Sequence, residues 1–335
     1  MNEMENNKTP ILEIQDLEVI YKTDAEVVHA VNGISLTLNE GETIGLVGET
    51  GAGKTTTALS VLSLLPDRTG IIKRGSIKFQ GRELVGMKQR EMELIRGNLI
   101  SMIFQDPMSS LNPVLRVGDQ IAETVKLHNA DMSKAQVNER VEEVLALVGI
   151  PASRKDEYPH QFSGGMKQRV LIAMALACKP HLLIADEPTT ALDVTIQAQV
   201  LALIAELQES QNTSMIMITH DLGVVASTCD KVGIMYAGEI VEYGTLYDVF
   251  DAEKHHPYTE GLFNAIPNLT RETVRLNVIN GLMPDPTDLP AGCAFAPRCE
   301  KCMEICKTRK PGYYRNGEHQ IKCFLHCGNE EKEGV

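Results

Sequence analysis

Gly48-Glu49-Thr50-Gly51-Ala52-Gly53-Lys54-Thr55 satisfies the pattern G-x-x-x-x-G-K-[ST] at every fixed position. Glycines let the backbone curl until several N–H groups point inward, and the start of a following helix adds the positive end of its dipole. Upstream, Thr43-Ile44-Gly45-Leu46-Val47 reads as a short buried strand. Downstream, Thr55 to Leu65 reads as a helix stopped before Pro66. Strand, glycine turn and helix in that order make a cradle for phosphate oxygens. Gly48 through Thr56 is therefore the expected nucleotide-binding stretch. Lys54 should reach the β- and γ-phosphates, and the Thr55 hydroxyl should ligate Mg²⁺.

Further along, Leu182-Leu183-Ile184-Ala185-Asp186-Glu187 is an apolar run ending in two acids. Packing gives no reason for carboxylates there, and a solvated strand end is the bland alternative. Given a phosphate loop upstream, Asp186 is expected to hold Mg²⁺ through its water shell, and Glu187 to be the general base on an attacking water. Apolar residues at helical spacing mark helices over Val137 to Val148, Lys167 to Ala177 and Ile196 to Leu207. Met215 to Thr219 reads as another buried strand, ending at His220. Ile11 to Leu38 alternates apolar and polar residues, as antiparallel strands do. Strands alternating with helices predict an α/β fold, a parallel sheet with helices on its faces.

The 335 residues are 43% hydrophobic and 23% charged, the balance of an ordinary globular protein. A net charge of −13 repels phosphate backbones, so no nucleic-acid partner is expected. The longest uninterrupted apolar stretch, Val170 to Cys178, falls far short of the ~20 residues that span a bilayer. The opening MNEMENNKTP lacks the apolar core of a secretory signal, which predicts a cytoplasmic chain. There, eight cysteines argue for metal or free thiols over disulfides. Cys293, Cys299, Cys302, Cys306, Cys323 and Cys327 lie in a proline-rich region that follows a change of texture near His256. Four thiolates there can hold a [4Fe–4S] cluster or tetrahedral Zn²⁺, and free thiols are the third reading. Cys178 and Cys229 are expected to be core thiols.

Phe162-Ser163-Gly164-Gly165-Met166 precedes a predicted helix and is followed by Lys167-Gln168-Arg169. It resembles the LSGGQ signature of ABC (ATP-binding cassette) ATPases, with Phe162 and Met166 in place of Leu and Gln. The resemblance implies a P-loop NTPase cassette over 11–255, comprising an antiparallel β subdomain, a parallel-sheet core and a helical subdomain at about 106–178. A cysteine-rich extension would follow over 256–335. It also implies a head-to-tail dimer in which Ser163, Gly164 and Gly165 complete the site on the other subunit's phosphate loop. Gln105, in Phe104-Gln105-Asp106-Pro107, matches the Q-loop residue that contacts Mg²⁺ and the attacking water. Ala191-Leu192-Asp193 matches the D-loop that crosses the dimer interface, and His220 the switch histidine at the γ-phosphate. Tyr21 sits where family members place an aromatic that stacks on adenine.

From Ile11 to Cys323 the chain resembles the nucleotide-binding subunits of bacterial oligopeptide, dipeptide and nickel importers. FQDPMSSLNP (104–113), FSGGMKQRVLIAMAL (162–176), His256-Pro257-Tyr258-Thr259 and GCAFAPRC (292–299) carry this resemblance. The Met-containing signature and the Ala-Pro-Arg before Cys299 look like the first-type subunit of a pair. The resemblance implies ATP hydrolysis that powers peptide import, with nickel or another solute as the alternative cargo. The implied partners are a second, non-identical ATPase subunit, two transmembrane permease subunits and, indirectly, an extracellular substrate-binding protein. The implied place is the cytoplasmic face of the cell membrane. Cys293-x5-Cys299-x6-Cys306-x16-Cys323 resembles the family's [4Fe–4S] pattern, expected to be structural and remote from ATP chemistry. An ABC ATPase of iron–sulfur assembly is the rival reading, and a nucleic-acid repair ATPase a second. The HPYT segment and the extended tail favour the importer.

Overall fold

A computed structural model describes residues 9–105, 110–190, 192–265 and 279–326. Asp106, Pro107, Ala191 and Cys327 lie outside the described residues. The chain runs through β1 (Pro10–Lys22), β2 (Val27–Asn39), β3 (Thr43–Val47), α1 (Lys54–Val61), β4 (Gly70–Phe79), β5 (Arg82–Glu83), α2 (Gln89–Glu93) and β6 (Ile100–Ile103). Helices α3 (Val117–His128), α4 (Lys134–Leu147) and α5 (Gly164–Leu176) follow. Next come β7 (Leu182–Asp186), α6 (Val194–Gln211), β8 (Ser214–Thr219), α7 (Leu222–Thr228), β9 (Lys231–Tyr236) and β10 (Glu239–Thr245). The last elements are α8 (Leu246–Phe250), α9 (Pro257–Asn264), α10 (Glu304–Thr308), β11 (Tyr314–Asn316) and β12 (His319–Ile321).

The chain divides into two compact units. The first comprises Met1–Glu13, Thr37–Ile44 and Lys78–Thr228. In it β6, β7 and β8 pair in parallel, with Ile103 opposite Ala185 and Asp186 opposite Ile218. Every residue of β7 and β8 is buried, as expected of a parallel strand covered on both faces. The register leaves Asp186 at the carboxyl end of its strand, where open α/β sheets place their ligands.

In the same unit, helices α3 to α5 pack against one another. A capping box starts α4: Ser133 Oγ accepts from the Gln136 N–H, and Gln136 Oε1 accepts from the Ser133 N–H. Val137, Val141, Val144 and Leu145 turn inward. Buried Arg140 donates from Nε to the Ala177 carbonyl at 2.9 Å and from Nη2 to that of Leu176 at 3.0 Å, satisfying the end of α5.

The second unit comprises Ile14–Leu36, Gly45–Ile77 and Cys229–Val335. It contains the phosphate-loop sequence, most of the neighbouring strands β2, β1 and β4, and the antiparallel pairs β9–β10, β10–β12 and β11–β12. Two expectations change in detail. The helix read to Leu65 stops at Val61, because Ser63 turns left-handed (φ 51°) and the Leu64 N–H reaches back to the Leu59 carbonyl at 2.8 Å. The proline-rich tail, a composition that suggests mostly loop, adds the hairpin β11–β12 beside β10, with Glu242 opposite Ile321 and Tyr243 opposite Gln320. Among the described residues no helix is long and apolar enough to cross a membrane.

Candidate functional site

In the second unit the loop between β3 and α1 is held by close backbone approach. A Cβ on Gly48 would come within 2.2 Å of the Met235 carbonyl oxygen, and one on Gly53 within 2.5 Å of the Ala30 carbonyl. Gly51 and Gly53 are left-handed, at φ 85° and 100°. The Gly238 N–H donates to the Ala52 carbonyl at 3.0 Å and so fixes the loop's outer side. The buried Lys54 ammonium folds over the loop, donating to the carbonyls of Gly48 (2.6 Å) and Glu49 (3.0 Å). That places a cation on a ring of glycine backbone at the start of an eight-residue helix, a set that suits phosphate oxygens. The half-buried Tyr21 lies against α1, its hydroxyl 3.2 Å from Thr56 Oγ1.

In the first unit three side chains converge on one carboxylate. Gln105 Nε2 donates to Glu187 Oε2 at 3.1 Å, Thr190 Oγ1 donates to the same oxygen at 2.8 Å, and His220 Nδ1 lies 3.3 Å from Glu187 Oε1. The turn that presents Glu187 is left-handed (φ 47°), which costs a non-glycine residue about 1–2 kcal/mol. The Glu187 N–H, donating to the Ile218 carbonyl at 2.8 Å, holds it. Strain of this kind persists where surrounding structure over-determines it, and it clusters at working sites. Asp186, one residue earlier, is 2% exposed. The sequence motifs had singled out Gln105, Glu187 and His220, which the structure brings together. Thr190 was missed, and its place three residues after Glu187 in a Thr-Thr pair was its only signal.

Ser163 is the N-cap of α5, its Oγ accepting from the Met166 N–H at 3.4 Å. Ser163 and Gly164 are exposed, and a Cβ on Gly164 would meet nothing within 4 Å. Gly165 is constrained, since its Cβ would press to 2.5 Å from Ile196 Cγ2. Asp193 caps α6, with Oδ1 accepting from the Ile196 N–H at 2.9 Å. The start of α5 thus presents open helix N–H groups beside a hydroxyl, a surface fitted to an anion.

The extension packs through an aromatic cluster. Tyr236 and Tyr258 are fully buried, Phe295 nearly so, and their ring centroids lie 4.7 to 5.4 Å apart. Cys293, Cys299, Cys306 and Cys323 line one recess together with His256, Pro257 and Phe295. A Cβ on Gly292 would fall 2.1 Å from the Cys306 carbonyl, and the Cys293 N–H donates to that same carbonyl at 2.8 Å. Burial pushes the Cys293 thiol up to about 11 and that of Cys323 to about 12, and raises Cys299 too. Backbone N–H groups of Phe295, Lys301 and Leu325 aim at the sulfurs of Cys293, Cys299 and Cys323 and oppose that rise. A thiolate held by such amides in an apolar recess suits a thiophilic metal or cluster. Cys302 Sγ instead donates to the Met303 carbonyl at 3.5 Å, and Cys229 is a buried thiol.

Two features of the extension had no sequence signal. His255 Nδ1 and His319 Nε2 lie 2.8 and 2.9 Å from Glu242 Oε1, and the His256 N–H donates to Oε2 at 2.7 Å. Burial alone would push the Glu242 carboxyl up, but these hydrogen bonds hold it at about 2. The other is Arg298, which donates from Nη1 to both carboxylate oxygens of Glu49 at 3.0 Å. Because the chain folds back there, the extension touches the phosphate loop.

The glycine cradle with its lysine, and the acid pair at the end of β7, are those of an ATP-binding cassette, and the chain belongs to the ABC transporter family. The model of that family, ABC transporter, matches residues 31–190, and the model described as oligopeptide/dipeptide transporter, C-terminal region, matches 241–306. The oligopeptide transport ATP-binding protein OppD of Salmonella typhimurium is 52% identical over 303 residues, 90% of this chain and 89% of its own. The oligopeptide transport ATP-binding protein AppD of Bacillus subtilis is 47% identical over 329 residues, 97% of this chain and 98% of its own. Among solved structures, the dimeric post-hydrolysis state of the cassette MJ0796 bound to ADP and Pi aligns with TM-score 0.63 and 26% identity, over 70% of this chain and 98% of that one.

Proposed function

We propose that this chain binds and hydrolyses ATP to power import of peptides through a membrane transporter. The observation that carries hydrolysis is the Glu187 carboxylate gripped by Gln105, Thr190 and His220 at the carboxyl end of β7. Relatives about half identical over nearly the whole chain, whose names are those of oligopeptide transport proteins, support peptide as the cargo. In this reading the loop amides and Lys54 bind the phosphates, and Tyr21 stacks on the adenine. The Thr55 hydroxyl, the Gln105 amide oxygen and the Asp186 carboxylate would hold Mg²⁺, which prefers such hard oxygen ligands. Bound Mg²⁺ would offset phosphate charge. Glu187 takes the proton of the attacking water as its oxygen bonds to the γ-phosphorus and the bond from that phosphorus to the β–γ bridging oxygen breaks, leaving ADP and phosphate, while Gln105 and His220 fix that water's direction. Ser163, Gly164 and Gly165 serve the nucleotide of a second, non-identical cassette subunit, and Asp193 stands near that interface. Two permease subunits hold the pair at the cytoplasmic face of the membrane, and a substrate-binding protein delivers cargo. Removing this subunit from its host should abolish uptake of labelled di- and oligopeptides. Intact peptide uptake with lost nickel uptake would instead assign the alternative cargo.

The recess in the extension is assigned a [4Fe–4S] cluster on Cys293, Cys299, Cys306 and Cys323, supported by their shared lining and the amides aimed at three of the sulfurs. Anaerobically purified chain should be brown, with about four irons, and any one Cys→Ser change among the four should bleach it. Cys302→Ser should stay brown. Stoichiometric zinc without iron after iron-replete anaerobic expression would transfer the site to Zn²⁺.

A further inference from the structure

We propose that Arg298 is a positioning residue for ATP binding, which neutralises Glu49 of the phosphate loop from within the extension. This rests on the ATP site proposed above and adds a residue to it. Glu49 is the second residue of the loop, so a carboxylate stands in the stretch that must receive a polyphosphate. Left alone it would repel that ligand, because like charges a few ångströms apart interact strongly where water is partly excluded. Arg298 answers it with two contacts of 3.0 Å to Glu49, and its side chain is only 5% exposed against 32% for Glu49.

The guanidinium is fixed on its other edges. Nε donates to the Asn280 carbonyl at 3.0 Å and Nη2 to that of Ile279 at 3.2 Å. Nη1 also reaches the Tyr236 hydroxyl at 3.3 Å, and the group sits 5.7 Å from the centre of that ring. The Glu49 backbone is tied as well, its N–H donating to the buried Tyr258 hydroxyl at 3.1 Å. A buried arginine whose carbonyl contacts and ring are all neutral needs a counter-charge, and Glu49 supplies it. The pair thus turns the Glu49 side chain toward the extension while the loop keeps its remaining amides for phosphate. The two partners of Glu49, Arg298 in the turn before Cys299 and Tyr258 in the HPYT segment, both belong to the extension.

Binding of a fluorescent ATP analogue to the full-length chain, at low and at moderate salt, tests this. Arg298→Met should weaken ATP about tenfold at low salt, with a smaller loss for the less charged ADP. Adding Glu49→Gln to it should return affinity to within about threefold of the parent, since the repulsion is then gone. Glu49→Gln alone should bind ATP at least as tightly as the parent, with a steeper salt dependence from the unopposed arginine. The double variant leaves no buried charge unpaired, so it keeps the test decisive if a single variant fails to fold: a loss beyond about threefold in it counts against the proposal. Equal losses in the single and double variants, or weakened binding in Glu49→Gln, would overturn the proposal. Absence of ATP binding in the parent chain would instead remove the ATP-site reading itself.

Discussion

Glu187→Gln is expected to leave ATP binding intact and to lower turnover in the assembled transporter by about 10²–10⁴-fold, the range that loss of a general base commands. The amide matches the carboxylate in shape. Its oxygen can still accept from Thr190 Oγ1 and Gln105 Nε2, and its NH₂ can face His220 Nδ1, so the three contacts survive. What disappears is basicity toward water. Bound ATP should then persist, and the cassettes should stay associated. Hydrolysis and nucleotide retention measured on the same preparation decide it. Near-parental turnover would take the base role from Glu187 and leave its left-handed backbone unexplained by function.

A comparable loss is expected from Ser163→Arg. The Ser163 hydroxyl and the open start of α5 are exposed, and no described side chain crowds Gly164, so this surface is free to serve a second chain. An arginine there covers the helix N–H groups and removes the cap on the Met166 N–H. If these donors stabilise charge on a partner's phosphate, turnover of the complex should drop about 100-fold while the variant's own ATP binding is spared. For the same reason the purified parent chain should hydrolyse ATP slowly alone and faster when its partner subunits are added. A verified monomer with concentration-independent turnover equal to that of the complex would refute a shared site.

The parts of the site legible in the sequence were those whose residues are neighbours along the chain. Glycines at fixed intervals before a lysine have one physical use, and the acids ending an apolar strand have few. Gln105 and His220 became legible only through their order among the other motifs, because a lone glutamine or histidine defaults to surface or core. Periodicity carried the buried strands β7 and β8 well, for a fully apolar run in a parallel sheet needs no alternation. It failed at the end of α1, where Ser63 takes a left-handed turn that no apolar pattern announces. It also failed across the extension. Arg298 and Glu49 are 249 positions apart, and His319 and Glu242 are 77 apart. Such pairs are set by how strands fold back, and local propensity contains nothing of that distance. HPYT was visible as a motif, but that its tyrosine hydroxyl caps a phosphate-loop amide was not.

Peptide accumulation in proteoliposomes tests the central claim most directly. The vesicles would hold the two permease subunits, the partner ATPase subunit and this chain, with the substrate-binding protein and a labelled oligopeptide on the opposite face. Accumulation against the gradient should require ATP on the side of this chain, should scale with ATP hydrolysed, and should vanish when Glu187→Gln replaces the parent. Peptide accumulation that continued with Glu187→Gln, or ATP hydrolysis in the parent complex with no peptide moved, would contradict it.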